Sequence, residues 1–118
     1  MIDAERGVAD AVTFTLAQNA SAGMQISAVS AMELIIGCRD GAELLVVKAF
    51  LARATIHEIN SAISQQARDW VASFYLSHGL TIPDALIGAT AHLLSLPLYT
   101  KNTRHFQMLP SLVVIRPY

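Results

Sequence analysis

The feature that most constrains this chain is an alternation. Short apolar runs rich in β-branched residues recur along it, and stretches with helical spacing separate them. The runs lie at residues 24–29, with Ile26 and Val29, and 55–59, with Thr55, Ile56 and Ile59. Two more follow at residues 98–100 and 112–115. Runs of this length and type read as strands. Alternation of such strands with helices is the pattern of an α/β fold with a parallel sheet.

The helical stretches carry their own start and stop signals. Residues 8–20 place Val8, Val12, Phe14 and Leu16 along a helix face and end in a turn-like segment at 19–23. Ser30 is positioned to open a helix reaching about Cys38, and Asp40 to cap another over residues 41–54 with Leu44, Leu45, Val47, Phe50 and Leu51 inward. Asn60 or Ser61 starts a long helix to His78, with Ile63, Ala67, Trp70, Val71, Phe74 and Tyr75 on one face and Gly79 as its stop. Pro83 suits the first turn of a last helix running to about Leu96. The chain therefore opens on a helix, whereas α/β domains of this kind usually begin with a strand near the sheet's centre.

Composition narrows the class further. The 118 residues suit one domain, 1–118. With 53% hydrophobic and 14% charged residues, disorder is excluded. Collagen-like, coiled-coil and disulfide-scaffold classes fail on the same counts. Cys38 is the single cysteine, so a reducing, cytoplasmic setting is expected. No segment reads as ~20 consecutive apolar residues, and no basic region precedes an apolar one at the start, so neither a membrane span nor a signal peptide is expected. A net charge of -1 gives no long-range electrostatic case for nucleic-acid binding. Any such function has to come from a local site.

Three segments carry chemistry. In Ser30-Ala31-Met32-Glu33, a capping box would account for both Ser30 and Glu33. Glu33 would also lie near the carboxyl end of a parallel strand, where α/β sheets place ligands. Asp84 falls in the first turn of a helix among small and apolar neighbours. It either complements the helix dipole or, partly buried, needs a partner or a metal. In Tyr99-Thr100-Lys101-Asn102-Thr103-Arg104, a strand stops at a polar, mildly basic loop. That loop is either a solvated turn or a strand-end loop offering Thr100 and Asn102 oxygens inward and Lys101 or Arg104 outward to phosphate. All three would sit at one edge of one sheet. Oxygen-only donors are what Mg²⁺ and Mn²⁺ select. His57, His78, His92 and His105 fall on separate elements and read as ordinary surface or core residues, so zinc spacing is absent. There is no glycine-rich phosphate loop and no nucleophile elbow.

At these residues a family resemblance emerges. Ile26-Ser27-Ala28-Val29-Ser30-Ala31-Met32-Glu33-Leu34-Ile35-Ile36-Gly37 resembles the second block of PIN-domain toxins of the VapC type. Ile82-Pro83-Asp84-Ala85-Leu86-Ile87-Gly88-Ala89-Thr90-Ala91 resembles their third block. Leu98-Tyr99-Thr100-Lys101-Asn102-Thr103-Arg104-His105-Phe106, followed by Leu112-Val113-Val114-Ile115-Arg116-Pro117, is similar to their C-terminal block. The resemblance implies a PIN-like three-layer α/β fold with a short parallel sheet flanked by helices. It implies an Mg²⁺- or Mn²⁺-dependent endoribonuclease, the toxin of a toxin–antitoxin pair, that dimerises and is neutralised by a small antitoxin. Glu33 and Asp84 would hold the metal. Asn102 would orient a metal-bound water or the substrate, and Lys101, Arg104 and Arg39 would position the RNA backbone.

The resemblance also carries two departures. The family opens with a strand bearing an Asp in a block of the form Asp-Thr-x-x-x-Ile-Asp. Met1-Ile2-Asp3-Ala4-Glu5-Arg6-Gly7 looks like the tail of that block, with Asp3 as its second Asp and the first falling upstream of Met1. The family's fourth acidic position is Asn102 here. The first strand is central in that family, between the 26–29 and 98–100 runs, so the expectation is an N-terminally truncated domain lacking its central strand. The two flanking strands would then stand apart or close up. The rival reading is a catalytically inactive PIN-like module that only dimerises or binds an antitoxin. A receiver-type domain would need an N-terminal cluster of strand-end Asp residues, which is lacking. The early helices, 8–20 and 30–54, carry more apolar residues than one face can bury, so a homodimer surface or antitoxin groove is expected around Leu44, Val47 and Leu51.

Overall fold

The computed structural model describes residues 24–116. The helix read over 8–20 and the segment containing Asp3 lie outside the described residues. Strand β1 (Gln25–Ser27) passes directly into helix α1 (Ala28–Ile36), followed by α2 (Gly41–Arg53), β2 (Thr55–His57) and α3 (Ser61–His78). Then come α4 (Ile82–Leu93), β3 (Leu98–Tyr99), a 3-10 turn at Thr103–His105 and β4 (Val114–Ile115).

Local chemistry sets most of these boundaries. The Asp40 side chain accepts from the Glu43 N–H at 2.9 Å and the Asn60 side chain from the Ile63 N–H at 2.9 Å, each satisfying a backbone donor that its helix leaves open. Gly79 ends α3 in the left-handed region at φ 66°, where a side chain is strained, and its N–H donates to the Tyr75 carbonyl at 3.0 Å. Leu94 caps α4 three residues before Pro97. A proline disfavours helical geometry at the residue before it, so the helix stops short of Leu96.

One boundary differs from the sequence expectation in a way that matters. Ser27, not Ser30, is the N-cap of α1, accepting from the Ser30 N–H at 3.0 Å. The strand run expected to reach Val29 is cut at Ser27, and Ala28 and Val29 become buried helix residues. Glu33 then lies six residues past the cap, nearly two turns, so the capping-box explanation for it fails.

The core is built around α4. Its Ala85, Ile87, Gly88, Ala89, Thr90 and Ala91 are buried, and it packs most extensively on α3 through Trp70. A Cβ on Gly88 would stand 2.7 Å from Leu109 Cδ1 and 3.4 Å from Trp70, so a side chain there would have to push Leu109 aside. On α3, Ile63, Ala67 and Trp70 are buried as expected, but Tyr75 is exposed, one residue and ~100° around the helix from half-buried Phe74. On α2 only Val47 is buried, with Leu44, Phe50 and Leu51 half-buried. Leu45, expected inward, lies off that stripe and is 70% exposed.

β1 and β2 pair in parallel with Ile26 opposite Ile56, and β3 and β4 pair in parallel with Leu98 opposite Val114. Among the described residues these form two two-stranded sheets instead of one. β1 and β3, between which the resemblance puts a further strand, are not hydrogen-bonded to each other. The sheet has not closed up by direct pairing of the two.

Candidate active site

Asp84 is the hub of the site. It occupies the third position of α4, where the Thr81 hydroxyl caps the helix by accepting the Asp84 N–H at 3.3 Å. Pro83 beside it has no backbone N–H to satisfy. The half-buried carboxylate thus sits at the positive end of a helix dipole. Its Oδ2 is 3.1 Å from Nδ1 of His105.

Glu33 comes to the same place from α1, which packs against α4. The residue as a whole is exposed. Partial burial of its carboxyl nevertheless pushes its pKa above the ordinary 4.5, and the charge of Asp84 pushes it further. The charge of Asp84 on α4 thus acts on the Glu33 carboxyl on α1.

The polar loop after β3 reaches Asp84 through His105 and is held in shape by its own hydrogen bonds. Thr100 is fully buried, and its Oγ1 accepts the Asn102 N–H at 3.0 Å. The Asn102 carbonyl in turn accepts the His105 N–H at 3.0 Å, closing the 3-10 turn. Asn102 itself is exposed, and its side chain makes no cap hydrogen bond to that turn. The Lys101 carbonyl accepts from Arg116 Nη1 at 3.2 Å, fixing this loop to the end of β4. Arg104 is exposed within the turn, next to His105. Arg39 is engaged elsewhere, its backbone N–H and guanidinium both bound to the Glu43 carboxylate between α1 and α2. That pair raises the Arg39 pKa and lowers that of Glu43, chiefly through the hydrogen bonds.

His105 is the site residue that sequence reasoning missed. The other three histidines behave as expected. His57 Nε2 meets Gln25 Oε1 at 2.8 Å, His78 packs edge-on against Phe74, and His92 lies against Trp70. His105 alone among them contacts a candidate ligand. Its position three residues after Asn102, in the same loop, was the available signal.

Among the described residues, no group of three or more His, Cys, Asp and Glu side chains could hold a metal ion. A metal here would rest on the two carboxylates and water, the open arrangement that Mg²⁺ favours and Mn²⁺ shares. The donor chemistry fits. Both donors are hard oxygens, and the ionised form of Glu33, disfavoured by partial burial and then by the charge of Asp84, is the form a divalent cation would stabilise.

A PIN domain model matches residues 2–110. The chain belongs to the PIN-domain family. It is 34% identical over 108 residues to Ribonuclease VapC10 of Mycobacterium tuberculosis, covering 91% of this chain and 80% of that protein. A toxin-antitoxin complex from Klebsiella pneumoniae matches with a TM-score of 0.62 and 29% identity, over 78% of this chain and 72% of that one. VapBC-1 from nontypeable Haemophilus influenzae matches at 0.63 and 22%, over 75% and 69% of the two chains, and bears on the fold alone. The PIN-like α/β fold expected from the sequence is therefore the fold of this chain.

Proposed function

We propose that this PIN-domain protein is a metal-dependent endoribonuclease, the toxin of a toxin–antitoxin pair, hydrolysing RNA phosphodiester bonds with Mg²⁺ or Mn²⁺. The observation that carries the reading is the packing of the helix bearing Glu33 on the helix bearing Asp84, where the charge of Asp84 acts on the Glu33 carboxyl. Identity to a protein named a ribonuclease supports it independently.

Glu33 and Asp84 would hold the ion. When bound, it supplies an activated water and charge stabilisation at the scissile phosphate. Asn102 presents an exposed amide on the same loop as His105, suited to orienting the substrate by hydrogen bonds. Lys101 and Arg104 flank it and would hold the RNA backbone, which positions without reading sequence.

Partners follow from the surface. Ile36 is 81% exposed on α1, with Met32 and Ile35 also exposed, and Leu45 is exposed on the adjoining α2. This apolar surface supports docking of an antitoxin or a second copy of the chain. It is not centred where the sequence suggested, because Val47 is 4% exposed and belongs to the core. No helix among the described residues is long and apolar enough to cross a membrane. The free Cys38 is compatible with a cytoplasmic setting.

The test is cleavage of a mixed-sequence RNA by the purified chain with Mn²⁺, with chelator, and with Asp84→Asn. Cleavage should require Mn²⁺ and be lost in the variant while the circular dichroism spectrum is unchanged. Cleavage persisting in chelator contradicts the reading. A folded, Mn²⁺-loaded chain that cuts nothing supports the inactive binding module instead.

A further inference from the structure

His105 contacts Asp84 across 21 residues of sequence, and the contact is anchored on both sides. On one side, Asp84 is fixed in the first turn of a largely buried helix, its own N–H capped by the Thr81 hydroxyl. On the other, the turn carrying His105 is pinned by Phe106 and Leu109, both buried, and by the His105 N–H to the Asn102 carbonyl. The imidazole also lies against the Phe106 ring, with centroids 6.4 Å apart. An ionised carboxylate only accepts hydrogen bonds, so the 3.1 Å contact requires the imidazole proton on Nδ1. It engages Oδ2 and leaves Oδ1 outside this hydrogen bond.

We propose that His105 is a positioning residue that donates from Nδ1 to one oxygen of Asp84 and presents the other to the divalent ion. This rests on the reading of Asp84 as a metal ligand. Carboxylates that ligate metals are themselves held by hydrogen bonds, and losing that outer partner typically costs 10–100-fold in metal affinity or activity. Without His105, Asp84 would be free to rotate about its terminal torsion, which is broad for a carboxylate. The same contact adds a polar tie between the Asn102 loop and α4, beside the packing of Leu109 against Gly88.

Two substitutions separate the hydrogen bond from bulk. Asparagine places its amide nitrogen where the imidazole Nδ1 stands, and leucine places a methyl there. Mn²⁺ affinity of the full chain is measured by electron paramagnetic resonance for wild type, His105→Asn, His105→Leu and Asp84→Asn, with melting temperature as a control for folding. His105→Leu should weaken Mn²⁺ binding by about 10–100-fold. His105→Asn should restore it to within roughly threefold of wild type, since its amide supplies the same donor. Leucine binding Mn²⁺ as tightly as wild type overturns the proposal, and so does an asparagine variant as weak as leucine. If Asp84→Asn itself retains full affinity, the reading of Asp84 falls and the proposal with it. If Asp84→Asn loses binding while leucine keeps it, only the role of His105 falls.

Discussion

Replacing Glu33 with glutamine should have opposite effects on the metal-free and metal-loaded protein. Without metal, the Glu33 carboxyl is partly desolvated and is further opposed by the charge of Asp84, so its ionised form opposes folding. Glutamine removes that charge at nearly constant volume. Because Glu33 is an exposed residue, solvent screens the interaction and the gain is at most about 1 kcal/mol. For a domain of this size that is a rise of roughly 4 °C in Tm. The sign with pH follows from the raised pKa. Below the ordinary 4.5 the group is protonated whether folded or unfolded, so it costs nothing. As pH rises through the folded-state pKa, the native form is progressively penalised, and the penalty is complete above it. The variant's advantage should therefore be nil at pH 4 and full at pH 7.5. With Mn²⁺ at 100 times its Kd, the wild type should gain about 2.7 kcal/mol and the variant far less. Thermal melts in chelator and in Mn²⁺, at both pH values, measure all of this. A variant less stable than wild type in chelator at pH 7.5 would refute the penalty on the ionised Glu33. An undiminished Mn²⁺ shift would refute Glu33 as a ligand.

Three further outcomes are expected. Gly79→Ala should cost about 1 kcal/mol in denaturant melts, because position 79 sits at φ 66° with open space around it and only backbone strain is introduced. Ile87→Ala should cost about 2–5 kcal/mol, since Ile87 is 1% exposed in the helix that carries Asp84. Lys101→Ala combined with Arg104→Ala should raise KM for RNA and flatten its salt dependence with little change in kcat, as removal of phosphate contacts does; a fall in kcat at constant KM would contradict that role.

What the sequence could show depended on how local the deciding interaction was. Asn60 and Gly79 bound α3 where expected because each cap is set within a few residues. Two serines three apart both had cap chemistry, and Ser27 wins over Ser30 where the strand pairing with β2 stops, a contact 30 residues away. Leu45 looked inward because its neighbours on α2 are apolar, yet composition does not reveal how narrow a stripe the neighbouring elements cover. Glu33 and Asp84 were recognisable individually, but their coupling arises only from the packing of α1 on α4. His105 was passed over because nothing within its own segment distinguishes it from the other histidines. Its partner lies on another element.

Glu33 and Asp84 are proposed to hold a divalent ion together. Anomalous diffraction from a crystal of the full chain soaked in Mn²⁺ tests it most directly. The expected result is a manganese peak within ligand distance of oxygens from both side chains, with Asp84 still bonded to His105 through its other oxygen. Manganese bound elsewhere in the molecule, or two carboxylates pointing into separate solvent with no ion between them, would contradict it.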